Sequence, residues 1–157
     1  MKLLNILFVF SIMLAFTSCE KEPDTNPIET PDFYMTANVG SGTFTADSDP
    51  LVSIATSQTE LFTINGIDKE GNRIGISMQG KPSVATFLTG GKVEGNSITY
   101  IEGSNFWTST MNVGSGSVVI TEITDTFIKG TFSFTGINAL DQSEKIIHDG
   151  KFQAKKL

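Results

Sequence analysis

The chain has 157 residues, with eleven Lys and Arg against seventeen Asp and Glu, and carries a net charge of −6 at pH 7. That sign opposes nucleic acid and anionic headgroups as partners, because affinity for either rests on cations that neutralise phosphate. One cysteine, Cys19, permits no intrachain disulfide, so a packed core must supply the stability.

Met1-Lys2 gives a positive start, and Leu3 to Phe16 is almost unbroken apolar side chain without charge. The run is short of the roughly 20 apolar residues a spanning helix needs, and it stops at Thr17-Ser18 before the charged Glu20-Lys21-Glu22-Pro23. It reads as an export signal that is removed. Phe16-Thr17-Ser18-Cys19 resembles the lipobox of bacterial lipoprotein precursors, in which the cysteine thiol takes a diacylglycerol before signal peptidase II cuts. This assigns residues 1–18 to a signal peptide and Cys19 to lipidation. Cleavage there removes Lys2 and no acid, which takes the net charge from −6 to −7. Several acyl chains, each buried methylene contributing about 0.8 kcal/mol, hold such a protein to a bilayer effectively permanently. The resemblance also implies the outer membrane, since Glu20 stands where an inner-membrane retention signal would place Asp; the face of that membrane stays open.

Glu20 to Pro31 holds three of the five prolines and one apolar side chain, Ile28, so it cannot bury enough surface to order itself. Residues 19–31 are therefore the lipidated cysteine and a flexible spacer, and 32–157 has the size of one domain with one core.

From Phe33 onward the apolar residues recur with period two, in the Phe, Ile, Val and Thr that strands favour, separated by Gly, Asn and Asp. Phe33 to Val39 turns through Gly40-Ser41-Gly42 into Thr43 to Ala46. Val52 to Ser57 follows, and then Phe62 and Ile64 lead through Asp68-Lys69-Glu70-Gly71-Asn72 to Ile74, Ile76 and Met78. Further runs lie at Ser97 to Glu102, Phe106 to Met111, Ser117 to Ile123, Phe127 to Ile137, Lys145 to Ile147 and Lys151 to Lys156. Asp149-Gly150 predicts a two-residue hairpin between the last two, because primed turns need positive φ. The expected fold is all-β: an antiparallel meander of about nine or ten strands closed as a sandwich or a flattened barrel, with helix near zero.

Gly116-Ser117-Val118-Val119-Ile120-Thr121-Glu122-Ile123, Ile128-Lys129-Gly130-Thr131-Phe132-Ser133-Phe134-Thr135 and Ile147-His148-Asp149-Gly150-Lys151-Phe152 resemble the closing motif of a large family of Bacteroidetes lipoproteins known only as a domain of unknown function. Phe33 to Ala46 is similar to its opening hairpin. The resemblance covers most of the mature domain and implies location and fold; it carries no catalytic residue.

No cofactor loop or catalytic set stands out. His148 is the only histidine, and in a regular strand Ile147 and Asp149 point to the opposite face, leaving no adjacent acid to orient it. One histidine and an acylated cysteine are a poor supply of zinc ligands. Calcium takes oxygens from loops, and Asp47-Ser48-Asp49 and Asp68-Lys69-Glu70 place acids two apart, yet neither follows the EF-hand spacing; no metal is assigned. Gly40-Ser41-Gly42 and Gly114-Ser115-Gly116 lack the third glycine and following helix of a dinucleotide loop, so no cofactor is expected. The sharpest binding feature is aromatic: Trp107 and Tyr100, with Tyr34, form a candidate stacking platform for sugar rings, in which one of the adjacent Phe106 and Trp107 faces the core and the other solvent.

These residues point to a lipid-anchored, non-enzymatic binding or assembly module of the envelope. Its expected partners are the membrane through Cys19 and a glycan or envelope protein, with no nucleic acid. Two alternatives stay open: a carrier holding a small apolar molecule in a barrel cavity, and a hydrolase with an unrecognised site.

Overall fold

A computed structural model describes residues 32–56 and 60–157. The expected signal peptide, Cys19 and the expected spacer, residues 1–31, lie outside the described residues. Alternation of small polar and apolar side chains produces eleven strands and, among the described residues, no helix. In chain order they are β1 (Tyr34–Val39), β2 (Gly42–Thr45), β3 (Leu51–Thr56), β4 (Glu60–Ile67), β5 (Arg73–Gln79), β6 (Thr86–Gly90), β7 (Ser97–Glu102), β8 (Asn105–Ser109), β9 (Ser115–Ile123), β10 (Phe127–Ile137) and β11 (Glu144–Lys156).

All eleven belong to one sheet, and the β11–β10 pairing closes it into a ring-like arrangement that fits a sandwich or a flattened barrel. One arc runs β2-β1-β11-β10-β9-β6 and the other β3-β4-β5-β7-β8. Two seams join them: a parallel pairing of Lys155 and Lys156 on β11 with Leu51 and Val52 on β3, and a single pairing of Ile137 on β10 with Thr108 on β8. Every other pairing is antiparallel.

The period-two pattern sends one row of side chains into the space between the arcs. Met35, Phe62, Ile64, Ile74, Ile76, Met78, Ile98, Val118, Ile128 and Phe152 are all at 0% exposure. Each such side chain contributes about 1.5–3 kcal/mol by leaving water, which is how a domain without disulfides holds together. The two arcs touch: Phe62 on β4 meets Phe87 on β6 edge-to-face with ring centroids 5.5 Å apart. On the outer surface one rung crosses all the strands of the first arc, Thr45–Thr36–Lys151–Thr131–Val119–Thr86.

Two features depart from the sequence reading. β6 lies in a segment with no clear alternation: Phe87 points towards the core while its neighbour Leu88 is 55% exposed on a terminal strand. The second departure is larger, because Asp149-Gly150 does not turn the chain. β11 runs unbroken from Glu144 to Lys156, and the dipeptide forms a bulge in it. Three residues of β1, Thr36 to Asn38, oppose four of β11, His148 to Lys151, and the β10 register shifts likewise between Phe132 and Phe134. Asp149 has φ 52°, the left-handed conformation that Asp tolerates, so the signal for positive φ was real. A bulge uses that conformation as well as a hairpin does.

Candidate functional site

The rings singled out from sequence do not form one platform. Trp107 on β8 pairs with Tyr100 on β7, and their rings stack with centroids 6.0 Å apart and planes 28° from parallel. Tyr34 pairs with Gln153, whereas the β8 end of the first arc lies beside Glu144 through Ile137. Nine residues of strand separate those two points, about 30 Å at 3.3 Å per residue.

Nor is the stacked pair open. Trp107 is 7% exposed and Tyr100 3%, and the solvent-facing member of the adjacent aromatic pair is Phe106 at 39%. The position a sugar would take over the indole is filled by the protein's own Lys145, with Nζ 3.8 Å from the Trp107 ring centroid and 5.2 Å from that of Tyr100. Lys145 also forms a 2.6 Å ion pair with Glu102, and Glu102 accepts a 3.2 Å hydrogen bond from the Tyr100 hydroxyl. Burial, followed by the charge and hydrogen bond of Glu102, pushes the Tyr100 phenol up to about 12. The indole Nε1 donates to Ser143 at 3.0 Å, and Asp141 holds Ser143 by accepting from its hydroxyl at 2.7 Å and its amide at 2.9 Å. Those bonds hold the exposed Asp141 carboxyl below its ordinary range. Gly136 on β10 completes the arrangement, since a Cβ there would lie 2.8 Å from that of Trp107. The indole N–H, the Tyr100 hydroxyl, the Lys145 ammonium and the Ser143 hydroxyl all have partners inside the domain, as a structural anchor for the β8 seam requires.

The bulge builds a second arrangement that sequence reasoning missed. In a regular strand His148 and Asp149 would face opposite ways, but the extra residue turns both outward. His148 Nδ1 donates to Asp149 Oδ2 at 2.7 Å, because an ionised carboxylate can only accept. Asn38 Nδ2 on β1 donates to the same oxygen at 3.1 Å. The two bonds, with the His148 charge, hold the exposed Asp149 carboxyl below its ordinary range. His148 also borders a shallow recess with Ser115, Ser133, Thr135 and Ile146. Among the described residues its Nε2 has no hydrogen-bond partner, so base and orienter are present without a bonded nucleophile.

A third feature joins the two acidic turns. Asp47, which follows β2, and Asp68 and Glu70 in the β4–β5 turn border one recess of about 440 Å³. Asp68 is occupied by its own turn: Oδ1 accepts from the amides of Glu70 at 3.0 Å and Asn72 at 2.8 Å, and Oδ2 accepts from Asn72 Nδ2 at 2.8 Å. Among the described residues no three His, Cys, Asp or Glu side chains gather closely enough to hold a metal ion.

The fold and these surfaces define an all-β domain with a filled core and no assembled catalytic set among the described residues. The family model for a domain of unknown function, DUF6252, matches residues 32–154, and the chain belongs to that family. No curated protein and no solved structure matches it.

Proposed function

We propose that this is a lipoprotein of the outer membrane in a Bacteroidetes-type envelope, held by acyl chains on Cys19, whose domain is a non-enzymatic binding or assembly module for a glycan or an envelope protein. The observation that carries the anchor is the uncharged run Leu3 to Phe16 leading into Thr17-Ser18-Cys19. Binding is favoured over the carrier alternative by the occupied interior. Phe62, Ile64, Ile76, Ile98 and Phe152 are at 0% exposure and border none of the three recesses described. A carrier needs such side chains around a hollow.

The test is metabolic labelling with an alkyne-tagged palmitate, followed by membrane fractionation of wild type and Cys19→Ser. Wild type should take the label and sediment with outer membranes, whereas the variant should take none and be released. Equal labelling of the two, or a wild-type protein recovered unlabelled and soluble, overturns the anchor.

One observation favours the hydrolase alternative: the Asn38–Asp149–His148 relay beside a recess that includes Ser133. It requires that ester or glycoside turnover, if found, be lost in His148→Ala. The binding reading requires that the purified protein show no turnover that this substitution removes.

A further inference from the structure

We propose that the outer edge of β2 is a docking site at which an extended peptide segment carrying lysine or arginine adds to the sheet as a further strand. This deepens the reading of the domain as a binding module and does not depend on the lipid anchor.

β2 is a terminal strand, paired only with β1. In an antiparallel pair, bonded and non-bonded rungs alternate. The 2.9 Å bond from the Ala46 amide to the Met35 carbonyl marks one bonded rung, so Phe44–Ala37 and Gly42–Val39 are the next two. The amides and carbonyls of Thr43 and Thr45 therefore point away from β1, and among the described residues they have no partner. Unpaired edge groups are what an added strand bonds to.

The other terminal strand is closed to such pairing. The Leu88 carbonyl on β6 accepts a 3.0 Å bond from Asn96 Nδ2, so a side chain already occupies that edge. On β2 the outward groups overlook the recess of about 440 Å³ bordered by Thr43, Thr45, Asp47, Asp68, Lys69 and Glu70. It ends where the Asp47 amide donates to Ile67 at 2.8 Å, which limits the added strand to a few residues.

Charge selects the occupant. The recess carries three carboxylates against one ammonium, and that ammonium, Lys69, already lies 3.6 Å from Glu70. A second copy would bring the same acids to the same edge and be repelled. The chain's own residues 20–31 hold Glu20, Glu22, Asp24 and Glu29 with three prolines, the wrong charge and too few donors. A strand with cationic residues flanking its pairing segment meets both demands.

The test uses the full chain, isotope-labelled, titrated with two capped peptides, Lys-Thr-Val-Thr-Val-Lys and Glu-Thr-Val-Thr-Val-Glu. The lysine peptide should give saturable NMR shifts at Thr43, Thr45, Asp47 and Glu70 and slow the hydrogen exchange of the two threonine amides; the glutamate peptide should bind at least tenfold more weakly. Thr45→Pro, which removes only an outward amide, should weaken the lysine peptide at least tenfold. Should that variant not fold, the double change Asp47→Lys with Glu70→Lys, both exposed, should reverse the preference. Equal binding of the two peptides, shifts centred elsewhere, no shift at millimolar peptide, or an unreversed preference overturns the inference. A quiet edge in a protein that still binds another partner through a different surface sinks this site and leaves the binding reading standing.

Discussion

His148 and Asp149 are consecutive in sequence yet share one face of β11, with Nδ1 2.7 Å from Oδ2. The pairing exists because the bulge inserts a residue between two regular stretches of the strand, and the Asn38 amide across the rung fixes the carboxylate in place.

The pair makes an acid-pH prediction. His148 and Asn38 hold the Asp149 carboxyl below its ordinary value of 3.8, so the ionised form favours the folded state. Its contribution is present above that value and lost as pH falls through the lower, folded one. Asp149→Asn keeps a residue that accepts positive φ and removes the charge. In thermal melts the gap between wild type and variant should narrow as the pH falls from 5 towards 2. A gap unchanged down to pH 2 would exclude this linkage.

Within the Asp149-Gly150 dipeptide the two residues carry different constraints. Position 149 needs positive φ, which glycine adopts freely, so Asp149→Gly should be the milder of the two changes. At position 150 a Cβ would lie 2.6 Å from the Phe132 carbonyl oxygen, a backbone atom that cannot move aside, so Gly150→Ala should cost about 1–3 kcal/mol. Chemical denaturation of the two variants checks the order; a larger loss at 149 would contradict the bulge.

Much of the fold was legible because a half-buried strand writes its orientation into every second residue, as in Ile74, Ile76 and Met78 against Arg73, Gly75 and Ser77. What could not be read is where local signals admit two geometries. Asp149-Gly150 announces positive φ, which a turn and a bulge share, and only the long-range pairing of β11 with both β1 and β10 decides between them. The His148–Asp149 pair was lost with that choice, since alternation places them on opposite faces. Trp107 shows a similar limit: its strand was readable, but the lysine that covers it comes from β11, far away in sequence.

Tyr100 should report on its lid at alkaline pH. With its phenol pushed up to about 12 by burial and by Glu102, the protonated form is favoured in the folded state. Stability from this group is complete below pH 10 and declines as pH rises towards 12. Ultraviolet titration of Glu102→Gln should show a Tyr100 pKa lower than wild type yet still above 10.0, because the burial remains. An unchanged titration would show that the carboxylate has no part in the shift.

Asn96 ties two strands with one side chain, accepting from the Gln79 amide at 2.9 Å and donating to the Leu88 carbonyl at 3.0 Å. Loss of both bonds in Asn96→Ala should cost about 1–2 kcal/mol in urea unfolding and expose the β6 edge. Asn96→Asp keeps the first acceptor but sets a carboxylate oxygen against a carbonyl, and should destabilise at least as much. A neutral Asn96→Ala would show that β6 is held by β9 alone.

Cross-strand nuclear Overhauser effects on β11 test most directly whether the strand passes straight through residues 149 and 150. Continuity predicts contacts of Val39 with Ile147 and of Met35 with Phe152 along a single β1 partner, with Ile147 also facing Phe134 on β10. Contacts of His148 with Lys151 and of Ile147 with Phe152 across a tight turn would instead show a hairpin, and with it the His148–Asp149 relay would be gone.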